Sequence, residues 1–315
     1  MWQNRSWAPL VTWYVLFSSE IWILADGSFK PHAESKQSRI WWCPSGPLTF
    51  LPIHAAGIYG KEKAPRTGSC VSDYVVSSYT PTVTALLDKM APTTNKNPTR
   101  VLLISQPSTP GYAAIPGTRK ETQAIQDIMG EETHAPQDLM GATIIKSLLL
   151  EDAFATVTQV KEIMKTHGWV HFACHAIQDT AEPLKSGVQL HDGRLELLDM
   201  MKQQLPNSDL AFLSACQTST GNEKLPDEVV HLAAGMLAAG FRSVVATMWS
   251  IRDKYGPVVA KDFYAHILAG NLGNRCLDGA DAARALHYAM QKIRKELGDS
   301  EDALLAWVPY VHFGI

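Results

Sequence analysis

The chain reads as an α/β protein with a mostly parallel sheet covered by helices, and three observations carry that reading. From Arg39 onward, short β-branched or aromatic runs alternate with longer amphipathic stretches, the rhythm of strands buried under helices. Val101 to Ser105 (VLLIS) and Leu210 to Ala215 (LAFLSA) are nearly continuous apolar runs, which suits strands covered on both faces. The 21 Gly and 18 Pro in 315 residues are an ordinary share, spread as punctuation between the runs, with no internal repeat.

The elements follow in order. Ile40 to Cys43 and Leu48 to Ile53 are expected to pair as a hairpin around Pro44-Ser45-Gly46-Pro47, where Pro fixes φ and Gly permits a reversal. Residues 60–70 and 91–100 are polar and contain Pro, so they read as loops bracketing a strand at Tyr74 to Ser77 and a short helix near Thr82 to Lys89. Strand Val101 to Ser105 leads into a Pro- and Gly-rich loop. Thr118 and Glu121 then have the spacing of a capping box, starting a helix that carries Ile125 and Ile128. Thr143 to Lys146 reads as the next strand, and Leu150 to Lys165 as a helix with Phe154, Val157, Val160, Ile163 and Met164 on one face. Trp169 to Cys174 and Leu210 to Ala215 are the third and fourth strands of this series. Between them Asp192-Gly193, flanked by alternating residues, is a hairpin signal. Pro226 to Ala239 is a helix stopped by Gly240 and followed by a strand at Ser243 to Thr247. Helices near Gly256 to Ala269 and Asp278 to Leu297 precede a last strand at Tyr310 to Phe313.

Composition narrows the function classes. With 28 Lys+Arg against 31 Asp+Glu, the chain has no basic field to attract a phosphate backbone, so nucleic acid is not an expected partner. The five cysteines (Cys43, Cys70, Cys174, Cys216, Cys276) are odd in number and far apart, unlike a disulfide framework, and a reducing, cytoplasmic setting is expected. Trp7 to Ala25 is apolar enough to raise a targeting element, but Glu20 interrupts it. Residues 1–38 are therefore set apart as a leader, either targeting or packed, and no membrane partner is expected. The domain proper is expected over 39–315, with 39–98 a hairpin-rich part and 99–315 the catalytic sheet.

Two reactive side chains follow directly on buried strands: His175 after WVHFAC, and Cys216 at the end of LAFLSAC. In open α/β sheets ligands bind at the carboxyl ends of strands, where loops and helix N-termini converge. If the two strands are neighbours, an imidazole lies beside a thiol, the arrangement that makes a thiolate nucleophile available at neutral pH. Each residue alone reads more readily as an inert or structural core side chain, and it is the combination, followed by the polar stretch after Cys216, that points to a site. Zinc is the competing chemistry, because His171, Cys174 and His175 form H-x-x-C-H and Cys216 could complete a set. Strand alternation argues against it, since His171 and His175 share one face and Cys174 points to the other. No metal and no cofactor are expected.

With these residues in view, the chain from about Arg39 to Ile315 resembles CHAT domains, a branch of the caspase-like cysteine peptidase superfamily related to separase, metacaspase and clostripain-type enzymes. The resemblance rests on IWWCPSGPLTFLPIHAAG (Ile40 to Gly57), SSYTPTVTAL (Ser77 to Leu86), IPGTRKE (Ile115 to Glu121), VHFACHA (Val170 to Ala176), LSACQT (Leu213 to Thr218) and HLAAGMLAAGFRSVVATMWSIRD (His231 to Asp253). It implies a three-layer α/β/α fold of the caspase type. It also implies that His175 is the catalytic histidine and Cys216 the nucleophile, 41 residues apart. The oxyanion hole would be the backbone amides of Cys216 and Ala176. Position 176 departs from the family, which usually has Gly after the histidine, and a positive φ there would strain Ala. Relatives that cleave after basic residues use an acidic pocket, to which Asp179 and Asp253 could contribute carboxylates; both also read as loop charges or helix caps.

The reading that follows is a cysteine endopeptidase, regulated or latent, acting on a protein or peptide substrate. Regulatory repeat or sensor domains are possible partners by resemblance. The alternative is a catalytically silent CHAT signalling or scaffold module. An unrelated thiol-dependent hydrolase or transferase on the same sheet is a third reading, since fold does not fix function.

Overall fold

The computed structural model describes residues 37–59, 68–90, 100–131, 145–177, 179, 181–203, 205, 207–217, 228–270 and 277–315. The leader through residue 36, the expected strand start at 143–144, most of the polar stretch after Cys216 and Cys276 lie outside the described residues.

Ten strands form one sheet. The main row runs β1 (Ser38–Trp42), β2 (Val75–Tyr79), β10 (Tyr310–Gly314), β9 (Ser243–Thr247), β8 (Leu210–Gln217), β5 (Trp169–Ile177), β3 (Arg100–Ser105), β4 (Lys146–Glu151). Every neighbouring pair in this row is parallel except β10 with β9. β6 (Gly187–Gln189) and β7 (Arg194–Glu196) form a small antiparallel flap on β5, joined through Asp192-Gly193 as the sequence predicts.

Alternation along β5 divides the core. Val170, Phe172, Cys174 and Ala176 pack on one face with α3 (Val157–Met164), α4 (Leu197–Lys202) and α5 (Glu228–Ala239). Trp169 and, from β8, Phe212 pack on the other face with α2 (Gly117–Glu131), α6 (Gly256–Gly270), α7 (Ala282–Leu297) and α8 (Glu301–Trp307). Helices on both faces of a mostly parallel sheet give the expected three-layer α/β/α fold.

The N-terminal hairpin does not form. β1 pairs in parallel with β2, and Gly46–Phe50 is a 3₁₀ helix closed by local bonds such as Leu51 N–H to the Leu48 carbonyl. Gly46 turns the chain at φ 58°, and Pro47 supplies a φ already suited to a helical first turn, so the Pro-Gly signal starts a helix rather than joining two strands. α1 (Val83–Met90) follows β2. The segment around 68–73 is tied to α7 by the buried Arg294, whose guanidinium donates to Asp73 (2.7 Å), Asp299 (3.0 Å) and Ser69 (3.1 Å).

The expected helix from Leu150 also starts later. β4 continues to Glu151, Asp152 turns the chain at φ 47°, and α3 begins at Val157 behind Thr156, whose hydroxyl accepts the Gln159 amide. Thr118 and Glu121 do not form a capping box. The Thr118 hydroxyl donates to the Ile115 carbonyl, and Glu121 turns into the core.

Candidate active site

β5 and β8 are parallel neighbours, and their register makes His175 and Cys216 direct cross-strand partners. Adjacent strands lie about 4.8 Å apart, so the two backbones are neighbours at the point where both strands leave the core. The apolar sequences WVHFAC and LAFLSA create this proximity. Each strand is buried on both faces, and the in-phase burial of Val170 beside Ala211 and Phe172 beside Leu213 fixes the register.

His175 is buried, at 1% exposure, and its ring is held from two sides. Its Nε2 lies 2.8 Å from the Ala113 carbonyl. A carbonyl only accepts, so Nε2 carries the proton and Nδ1 is left as the basic nitrogen. Nδ1 is buried and has no hydrogen-bond partner among the described side chains. Tyr112 stacks on the imidazole with centroids 5.3 Å apart, and its hydroxyl reaches toward Gln189 Oε1 at 3.5 Å. Tyr112 and Ala113 were not singled out by the sequence. An aromatic residue in a long loop after a buried strand is the available signal for the first; a backbone carbonyl leaves none for the second.

Ala176 lies inside β5, between β8 and β6, and is 3% exposed. Among the described residues only Asp152 is a non-glycine with positive φ, so Ala176 carries none of the strain that the Gly-to-Ala departure raised.

The other candidate residues have local partners. The Asp179 carboxylate accepts the amides of Ala181 (3.1 Å) and Glu182 (2.9 Å), closing its own loop. The Asp253 carboxylate accepts the Gly117 amide at 2.8 Å, at the start of α2. His171 faces α2 and α6: its Nε2 donates to Glu121 (3.0 Å), and Tyr264 approaches Nδ1 at 3.3 Å. Cys174 belongs to the core on the opposite face, where burial pushes its thiol well above the usual cysteine range. The H-x-x-C-H residues therefore do not converge on one point. Among the described residues no group of three or more His, Cys, Asp or Glu could hold a metal ion. No helix among them is long and apolar enough to cross a membrane.

A mostly parallel sheet between two helical layers, with His175 and Cys216 paired across adjacent strands at their carboxyl ends, has the architecture of a caspase-like cysteine peptidase fold. The family model of the CHAT domain matches residues 11–315, and the chain belongs to that family. Among solved structures it is similar to the Arg-specific cysteine proteinase gingipain R (RgpB), with a TM-score of 0.53 and 11% identity, covering 98% of this chain and 69% of that one. The complex of the Porphyromonas gingivalis RgpB pro- and mature domains matches with a TM-score of 0.52 at 11% identity, covering 98% and 70%. The Saccharomyces cerevisiae separase–securin complex matches with a TM-score of 0.44 at 13% identity, covering 78% of this chain and 14% of that one. At 11% identity the likeness to gingipain is one of fold. No curated protein matches.

Proposed function

We propose that the chain is a cysteine endopeptidase with a His175/Cys216 dyad. Nδ1 of His175 takes the thiol proton of Cys216, and the thiolate attacks the scissile carbonyl of a protein or peptide substrate. The amides of Cys216 and Ala176 hold the developing oxyanion. His175 returns the proton to the leaving amine, and water, deprotonated by the same Nδ1, hydrolyses the thioester. The observation that carries this reading is the cross-strand pairing of the two residues, together with an imidazole whose Nε2 is committed to Ala113 and whose Nδ1 is unpartnered among the described side chains.

One observation favours a latent resting state. His175 is 1% exposed beneath Tyr112, so substrate must displace or pass the Tyr112 ring to reach the imidazole. Profiling cleavage of a broad peptide library by wild type, Cys216→Ala and Tyr112→Ala tests both points. Turnover that vanishes with Cys216→Ala and rises with Tyr112→Ala supports a latent peptidase. Absence of any Cys216-dependent cleavage in wild type and Tyr112→Ala favours the silent signalling or scaffold module.

A further inference from the structure

We propose that Asp253 is a positioning residue for His175, acting through the N-terminus of α2; the inference rests on the cysteine-peptidase reading above. Residues 106–116 link β3 to α2 and carry the Ala113 carbonyl, which orients the imidazole by its bond to Nε2, while the Tyr112 ring covers it. The loop closes on itself through Ile115 N–H to the Pro107 carbonyl and Tyr112 N–H to the Thr109 carbonyl. Those bonds shape the loop, which meets the sheet through Tyr112 on His175 and Gln189 and through the Ala113 carbonyl, and how it lies there depends on how its two ends are held.

The first end is pinned to the strands. Gln106 N–H donates to the Ala173 carbonyl of β5 at 2.9 Å, and its side-chain amide donates to the Asp152 carbonyl at 2.9 Å. The second end is pinned by Asp253, whose carboxylate accepts the Gly117 amide at 2.8 Å. The contact is close on every side. A Cβ at Gly117 would lie 2.4 Å from Asp253 Oδ1 and 2.5 Å from its carbonyl oxygen, so only glycine fits. A carboxylate at this place also meets the partial positive charge of the first turn of α2.

Topology gives the bond its reach. Asp253 lies between β9 and α6, and the row β9, β8, β5, β3 sets the nucleophile and histidine strands between it and the strand that starts the loop. The bond therefore joins the two sides of the crevice at whose centre His175 and Cys216 pair. Releasing it frees the end of the loop four residues from Ala113, and with it the hydrogen bond that keeps the proton on Nε2.

The test uses Asp253→Asn, whose carbonyl still accepts the Gly117 amide, beside Asp253→Ala, which has no acceptor. The readout independent of turnover is the His175 tautomer, followed by ¹⁵N correlation spectroscopy of the imidazole. Wild type and Asp253→Asn are expected to show Nε2–H, and Asp253→Ala a mixture of tautomers. With peptide substrates, Asp253→Ala is expected to lose about 100-fold in kcat, the scale of a small misplacement, with KM and the preference before the scissile bond retained. An unchanged tautomer in Asp253→Ala overturns the proposal. So does loss of cleavage after basic residues alone in Asp253→Asn, which assigns the carboxylate to the substrate pocket and is decisive even if Asp253→Ala does not fold. Cleavage that survives Cys216→Ala sinks the peptidase reading instead, and the tautomer still decides the role of Asp253.

Discussion

Glu121→Ala should unfold this protein more readily than a change at any surface carboxylate, and the structure sets the size of the loss. The Glu121 and His171 side chains are 3% and 0% exposed, with Nε2 and Oε1 3.0 Å apart. Tyr264 stands 3.3 Å from Nδ1, and Phe212 stacks on the imidazole with centroids 4.6 Å apart. A Cβ on Gly256 would come within 2.6 Å of Glu121 Oε2, so α6 presses directly on the carboxylate. Removing the side chain forfeits a hydrogen bond to a charged group, about 1.5–3 kcal/mol, and leaves the Nε2–H of His171 without an acceptor. The one buried methylene that is lost, Cγ, adds about 0.8 kcal/mol, for a total of about 2–4 kcal/mol. That is a large share of the roughly 5–15 kcal/mol that holds a domain folded. Glu121→Gln keeps the stem and an acceptor oxygen and should cost less than half as much. Urea unfolding of the three proteins, read by tryptophan fluorescence and far-UV circular dichroism, supplies the numbers. A loss below about 1 kcal/mol for Glu121→Ala, the range of exposed ion pairs, would refute the argument.

Three further outcomes follow from the same structure. Ala176→Gly should leave cleavage unchanged and cost about 0.5–1 kcal/mol, because position 176 sits in extended strand; a large gain in kcat would contradict that backbone assignment. In the native protein near neutral pH, iodoacetamide should modify the exposed Cys43 and spare Cys70 and Cys174. Burial pushes the Cys70 thiol up to about 12 and raises Cys174 as well, and peptide mass mapping reads the pattern. Stability should fall as pH drops from about 6.5 toward 4. His54 is buried neutral between Tyr79 and the Val308 carbonyl, and burial lowers it to about 4. The unfolded chain therefore takes up this proton first, and the stability present above pH 6.5 is lost on the way to pH 4, by about 3 kcal/mol. Burial also lowers His312, beside the Arg39 charge, which acts in the same direction. Urea midpoints against pH for wild type and His54→Gln check this, the variant giving the shallower curve.

The parts of the fold that were legible in the sequence are those written by burial on both faces. VLLIS, WVHFAC and LAFLSA could be read as central strands because no solvent face interrupts them, and two of them carry His175 and Cys216 at their ends. What failed were local signals with a competing tertiary partner. Thr118 and Glu121 have capping-box spacing, yet the carboxylate found a buried histidine fifty residues along the chain, and the helix start took its acceptor from Asp253. Pro44-Ser45-Gly46-Pro47 carries a reversal signal that fits a 3₁₀ turn as well as a hairpin, and β1 found a better partner in β2. The groups that orient His175 were not legible for a different reason. The Ala113 carbonyl is a backbone atom whose role depends on where the loop lies, and no side-chain pattern records that.

The central claim is that His175 activates Cys216 for attack on a peptide carbonyl, and covalent capture tests it most directly. Intact-protein and peptide mass spectrometry after treatment with peptidyl acyloxymethyl ketones bearing Arg, Lys or Asp at the leading position reads one number, the adduct on Cys216. A single adduct on Cys216, formed in wild type and lost in His175→Ala, is the predicted result. Labelling of Cys216 that is just as fast in His175→Ala, or no labelling with any probe in wild type and Tyr112→Ala, would contradict it.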